Sequence, residues 1–198
     1  MVLKIYGSPQ SRTMRVLWAA AELGLQYEHI PLAWSDPALK SPEFLDVNPV
    51  GRVPAIDDDG FRLSESLAIN LYLAKKAGSP LYPKTLQDEA RTWSWTLWAT
   101  FDLESLLHRD RWRPPVGAEA DGAIAGALGL LDRTLGASDY LLGSAFTIAD
   151  LNVAGVLSPT RAARLDLEPF TAVRGWLGRC YGRPACIAAR QALSRFEG

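Results

Sequence analysis

The stretch from Asn48 to Lys76, NPVGRVPAIDDDGFRLSESLAINLYLAKK, constrains the fold more tightly than any other part of the chain. Val53 to Ile56 is a short apolar run opened by Val53-Pro54. Asp57-Asp58-Asp59-Gly60 is a turn whose glycine can supply a positive φ, and Phe61-Arg62-Leu63 returns as a second strand. Ser64-Glu65-Ser66 stands directly before Leu67 to Ala74, an apolar helical run. Two hydroxyls and a carboxylate at a helix start form a polar notch, where backbone N–H groups also point outward.

Upstream residues complete an α/β layer around this hairpin. Val2 to Tyr6 alternates as a strand, and Gly7-Ser8-Pro9-Gln10-Ser11 is a loop. A helix runs from about Arg12 to Leu23, with Val16, Leu17, Ala20 and Leu23 on one face and Gly24 as its stop. Tyr27 to Leu32 reads as a second strand, giving a parallel βαβ unit with a right-handed crossover. Trp34 to Phe44 reads as irregular and polar. The first ~80 residues therefore predict β-α-β-β-β-α, a four-stranded α/β sandwich.

Ala77 to Pro83 has the composition of a linker, and no strand pattern follows it. Leu86 to Trp112 predicts one long, tryptophan-rich helix, whose aromatic stripe reads as core. Ala118 to Leu135 predicts a second, whose Gly122, Gly126 and Gly129 suit close helix packing. Thr147-Ile148-Ala149-Asp150 is a capping box, with Phe146 and Leu151 as its staple. Further helices are expected over Phe170 to Cys180 and after Pro184. The division expected is residues 1–77 and residues 84–198, α/β followed by all-α.

With 198 residues and 48% hydrophobic side chains, the chain can bury a substantial core. A formal charge of −1 gives no reason to expect nucleic acid or an anionic membrane as partner. Arg109, Arg111 and Arg113 beside Trp112 read as cations at a helix C-terminus. Cys180 and Cys186 match no zinc spacing and no C-x-x-C pair, so no metal site is expected, and Cys180 falls on a core face. The N-terminus lacks a signal-peptide pattern and no apolar run reaches membrane length, which makes the cytoplasm the expected compartment.

Three motifs in register resemble one family. Tyr6-Gly7-Ser8-Pro9-Gln10-Ser11 leading into Arg15-Val16, then Glu22-Leu23-Gly24-Leu25 with Tyr27-Glu28, resembles the N-terminus of bacterial cytosolic glutathione transferases of the serine type. Asn48 to Pro54 followed by Ser64 to Ile69 is similar to that superfamily's glutathione-binding signature. Phe146 to Leu151 is similar to its C-terminal capping motif. The resemblance covers essentially the whole chain. It implies a thioredoxin-like domain followed by an all-helical domain, a homodimer, glutathione as co-substrate, and small hydrophobic electrophiles as its acceptors.

The resemblance also assigns residues. A cis bond before Pro54 would let the Val53 backbone pair with the cysteinyl part of glutathione. Glu65 would meet the γ-glutamyl ammonium, while Ser66 would offer a hydroxyl and a helix-terminal N–H to the neighbouring carboxylate. Lys40, before Ser41-Pro42, would meet the glycyl carboxylate, as in plant-type serine classes. Arg52 stands where related serine classes carry Gln, and an arginine can pair with that carboxylate more strongly.

Glutathione must be a thiolate to attack an electrophile, yet a free cysteine thiol titrates near pH 8.5. A hydrogen bond to a charged group contributes roughly 1.5–3 kcal/mol, enough to lower the pKa by about one or two units. Ser11, just before a helix, is the leading donor. Tyr6, Ser8 and the backbone N–H groups near Arg12 and Thr13 are the alternatives, because counting back from Arg15 puts Gln10 rather than Ser11 at the family's serine. His29 and His108 lie in segments separate from this loop. The candidate site is thus Ser11 with Lys40, Arg52, Val53, Pro54, Glu65 and Ser66. Trp98, Phe101, His108 and Trp112 are weaker candidates for an electrophile pocket. Two further functions fit the same residues: an isomerase or dehalogenase that regenerates glutathione, and a non-catalytic binding module.

Overall fold

A computed structural model describes residues 2–107 and 117–194, and these divide into two compact units. The first runs to Ser79 and also takes the segment from Arg183 onward. It contains β1 (Leu3–Tyr6), α1 (Thr13–Glu22), β2 (Tyr27–Ile30), α2 (Pro42–Val47), β3 (Ala55–Asp58), β4 (Phe61–Ser64) and α3 (Ser66–Lys76). The sheet order is β2-β1-β3-β4, with β1 and β2 parallel and the other pairs antiparallel. Ile5, Ile56, Val16, Leu17, Ile69 and Leu73 are fully buried or nearly so. Burying each such side chain contributes about 2 kcal/mol.

The hairpin forms as expected, except that its first strand lies two residues later. Pro54 has no N–H to give a ladder, so β3 begins at Ala55 and runs into Asp57 and Asp58. Asp59 and Gly60, at φ 56° and 91°, make the tight turn. Asp58 can stay in the strand, 7% exposed, because Tyr72 donates a 2.6 Å hydrogen bond to it and Lys76 pairs with it.

Two expectations for this unit are corrected. Trp34 to Phe44 is ordered: Pro37–Lys40 forms a 3₁₀ turn and α2 starts at Pro42. Ser41 Oγ accepts the Phe44 N–H at 3.2 Å, and Pro42 occupies the first helical position, where its missing N–H costs nothing. The C-terminal boundary also differs, since the last helix groups with the α/β unit. Arg183 donates from Nε and NH2 to the two oxygens of Glu22 at 2.7 and 2.8 Å, and Trp18 Nε1 donates to Glu22 at 3.0 Å.

The second unit, Pro80 to Gly182, contains α4 (Leu86–Trp98), α5 (Glu104–Leu107), α6 (Gly117–Gly136), α7 (Ile148–Leu157), α8 (Pro159–Ala162) and α9 (Thr171–Tyr181). The chain then continues into α10 (Pro184–Ser194) of the first unit. α7 is its core element, with Ile148, Ala149, Leu151, Val153, Ala154, Val156 and Leu157 all at 0% exposure.

The expected long helix is interrupted. After Trp98 the backbone makes a π-helical turn over Ala99–Leu103, where Thr100 Oγ1 donates to the Thr96 carbonyl at 3.0 Å and competes with the backbone ladder. Part of its aromatic stripe is not core either. Trp93 and Phe101 are exposed, and the buried residues of α4 are Thr92 and Thr96. Thr96 accepts from Asn152 Nδ2 at 3.1 Å. Small polar side chains thus form the contact with α7. Gly122 and Gly126 have open space where a β-carbon would stand, so close packing is not what places them. His108, Arg109, Arg111, Trp112 and Arg113 lie outside the described residues.

Candidate functional site

The strand register brings the polar loops of the first unit together. Tyr6 ends β1 opposite Ile30, which ends β2, and opposite Ala55, which begins β3. Ala55 in turn faces Ser64, which ends β4. Gly7 to Arg12, Val53-Pro54 and Glu65-Ser66 therefore leave the sheet at one end. Tyr6 and Ala55, 49 residues apart in sequence, are made neighbours by pairing alone.

The first loop is held on both sides. The Gly7 N–H donates to Ile30 O at 2.8 Å, and the Ser8 N–H donates to Leu32 O at 2.7 Å. His29 Nε2 lies 2.8 Å from the Gly7 carbonyl, which only accepts, so the ring donates there. This corrects the expectation that His29 is remote from the loop. Gly7 has φ +128°, and a β-carbon on it would stand 2.1 Å from Thr13 Oγ1 and 2.8 Å from Val53 Cβ. Only glycine lets the loop pass between those two residues.

Ser11 is half-buried at the mouth of α1. Its hydroxyl donates to the Ser8 carbonyl at 2.7 Å, accepts the Thr13 N–H at 3.1 Å and lies 2.8 Å from Thr13 Oγ1. Ser8 Oγ accepts from the Gln10 N–H at 3.2 Å. Tyr6 points elsewhere, its ring edge-on to Phe44 at 5.8 Å beside the Leu39, Phe44 and Ala55 cluster. Burial pushes the Tyr6 phenol above its ordinary range, which keeps it protonated.

At the α3 terminus, Glu65 is exposed and held at φ 72°, ψ 107°. A side chain in that region costs of order 1–3 kcal/mol unless its surroundings impose it. The Glu65 side chain makes no capping bond. Ser66 is 3% exposed, and Arg15 NH1 donates to its Oγ at 3.4 Å. Arg15 is itself buried at 4% and connects the starts of α1 and α3.

The Val53-Pro54 bond is cis, with Pro54 buried and Val53 partly so. Lys40 and Arg52 are both exposed. A β-carbon on Gly51 would stand 2.8 Å from Lys40 Nζ, so the ammonium rides over the backbone just before Arg52. The Arg52 carbonyl is fixed by Asn48 Nδ2 at 2.7 Å. Ser11, Val53, Pro54, Glu65 and Ser66 thus share the sheet end, while Lys40 lies against Gly51, next in sequence to the exposed Arg52. The Thr13 hydroxyl, Arg15 and His29 are additions, Thr13 having entered the sequence reading only through its backbone N–H. Arg15 was visible only as a motif marker, and nothing local announces its partner 51 residues away.

A cleft of about 450 Å³ in the second unit, lined by Leu135, Ser138, Asp139, Thr171 and Arg179 among others, holds none of these residues. Arg179 NH2 donates across it to the Asp139 carbonyl at 2.6 Å. Among the described residues, no cluster of His, Cys, Asp or Glu could hold a metal ion.

Two family models match the chain. Residues 1–75 match the glutathione S-transferase N-terminal domain, and residues 114–179 match the glutathione S-transferase C-terminal domain. Glutathione S-transferase 3 of Zea mays is 32% identical over 95% of this chain and 84% of its own length. Glutathione S-transferase D7 of Anopheles gambiae is 32% identical over 89% of this chain and 84% of its own. This chain belongs to the glutathione S-transferase family. A solved glutathione S-transferase I bound with lactoylglutathione is 27% identical, covers 98% of this chain and 99% of its own, and superposes with a TM-score of 0.80. The expected architecture, a thioredoxin-like domain with a small mixed sheet followed by a helical domain, is that of the family.

Proposed function

We infer that this protein is a transferase that binds glutathione at the end of the four-stranded sheet and conjugates its thiolate to small hydrophobic electrophiles. The observation that carries the reading is the convergence of the Ser11 loop, Val53-Pro54 and Glu65-Ser66 through the Tyr6–Ala55–Ser64 register. Family membership and the lactoylglutathione complex of a relative support glutathione as the thiol.

In this reading Glu65 receives the γ-glutamyl ammonium, and its exposed carboxylate with no capping duty supports that role. Ser66, anchored by Arg15, offers its N–H to the adjacent carboxylate. The Val53 backbone pairs with the cysteinyl part. Lys40 and Arg52 neutralise the glycyl carboxylate. Ser11 turns its hydroxyl from the Ser8 carbonyl to the sulfur and stabilises the thiolate, which then attacks the electrophile. The packing of Tyr6 against Phe44 supports Ser11 over Tyr6 as donor.

The protein is proposed to work as a homodimer in the cytoplasm. Trp93, Leu97 and Phe101 leave an apolar face exposed along α4 and the turn after it, which suits a second copy. Cys180 and Cys186 are both buried and form no disulfide, as suits a reducing compartment. No helix among the described residues is long and apolar enough to cross a membrane.

The test is calorimetric binding of glutathione, followed by turnover of a panel of aryl halides, enones, isothiocyanates and peroxides. Saturable binding with stoichiometric consumption of glutathione is expected. Turnover that regenerates glutathione would overturn conjugation, and absence of binding would overturn the site.

A further inference from the structure

Building on the reading of Ser11 as thiolate donor, we propose that Thr13 is its positioning residue, a buried hydroxyl that holds the Ser11 oxygen while the Ser11 O–H swings to the sulfur. The argument is a count of hydrogens. A serine hydroxyl has one hydrogen to give and two lone pairs. The Ser8 carbonyl can only accept, so the 2.7 Å contact uses the single Ser11 hydrogen. The hydrogen in the 2.8 Å contact between the two hydroxyls then comes from Thr13. The Thr13 N–H supplies another at 3.1 Å. Thr13 therefore fills both lone pairs of Ser11, one from its side chain and one from its backbone.

Two consequences follow from that arrangement. The oxygen is fixed at two points, so exchanging Ser8 O for a sulfur requires only rotation of the O–H bond, and the proton stays on Ser11 throughout. Accepting two hydrogen bonds also polarises the Ser11 O–H and makes it a better donor, by about 10–30% per bond. Thr13 is suited to the role because it is held on every side. It is 0% exposed, stands at the first position of α1, and has its hydroxyl wedged against Gly7, where a β-carbon would come within 2.1 Å.

The experiment titrates the ultraviolet absorbance of the thiolate in the glutathione complex of wild type, Ser11→Ala, Thr13→Val, Thr13→Ser and the double variant Ser11→Ala/Thr13→Val. Ser11→Ala should raise the bound thiol's midpoint by about one to two pH units. Thr13→Val should raise it by about half a unit, Thr13→Ser should titrate as wild type, and the double variant should match Ser11→Ala alone. Thr13→Ala drops the hydroxyl without a second methyl and should reproduce the valine shift if valine disturbs folding.

A Thr13→Val or Thr13→Ala complex titrating as wild type, while Ser11→Ala is shifted, would overturn the role of Thr13 and leave Ser11 standing. A Thr13 effect that persists undiminished in the Ser11→Ala background would show that it does not act through Ser11. An unshifted Ser11→Ala complex would remove Ser11 as donor, and the positioning role with it.

Discussion

Two helix starts in this molecule carry similar residues and are built for opposite purposes. At the start of α7, Asp150 is completely buried and spends its carboxylate on its own chain. It accepts from Leu141 N–H, Thr147 N–H, Thr147 Oγ1 and Trp176 Nε1, each at 2.9 Å. Its Ncap, Thr147, has an ordinary extended backbone at φ −130°. At the start of α3, Glu65 is exposed, caps nothing with its side chain, and sits at φ 72°. One carboxylate is satisfied and unstrained, the other strained and uncommitted. A polar motif whose hydrogen bonds close on themselves is a folding device, and one whose bonds stay open toward solvent is where a ligand belongs.

The comparison breaks most visibly at Asp150. Asp150→Ala should cost about 3 kcal/mol or more in denaturant unfolding, because it strands several buried donors at about 1–3 kcal/mol each. A loss below 1 kcal/mol, in the order of a surface change, would contradict the folding role. Glu65→Gln should do the reverse, weakening glutathione binding by about tenfold or more with the unfolding midpoint unchanged. Equal effects on binding and stability would erase the distinction between the two sites.

Asp58 is an intermediate case. Burial pushes its carboxyl up, but the hydrogen bonds from Lys76 and Tyr72 outweigh that and hold it below the usual range. A depressed folded pKa means stability that is present above the unfolded carboxylate range and lost as pH falls through the folded value. Denaturant midpoints should therefore drop on acidification below about pH 4, and Asp58→Asn should flatten that drop. An unchanged slope in the variant would assign the acid sensitivity to other carboxylates. The smallest effect is expected for Glu65→Gly, which relieves the positive φ and should raise stability by about 1 kcal/mol while glutathione affinity falls. A loss of stability would mean that the Glu65 side chain supports the fold.

What was legible in the sequence follows the same division. The hairpin, the βαβ unit and the capping box at Thr147 were readable because turn chemistry and caps are local. The convergence of Ser11, Val53 and Glu65 was readable through the family resemblance, since no local pattern states a register. α2 was missed although Ser41-Pro42-Glu43 carries a start signal, because the apolar run behind it is only Phe44, Leu45 and Val47. The return of α10 to the first unit depends on Arg183 finding Glu22, 161 residues away. His29 and the Thr13 hydroxyl were invisible for a related reason. Their parts are set by the Gly7 carbonyl and the Ser11 hydroxyl, groups whose direction only the folded loop fixes.

The central claim is that this loop makes glutathione a thiolate through Ser11. It is tested most directly by counting protons released when glutathione binds, using calorimetry at about pH 7.5 in buffers of different ionisation enthalpy. Wild type should release about half a proton or more per glutathione, and Ser11→Ala close to none with similar affinity. Equal release by both proteins, or none by wild type, would contradict it.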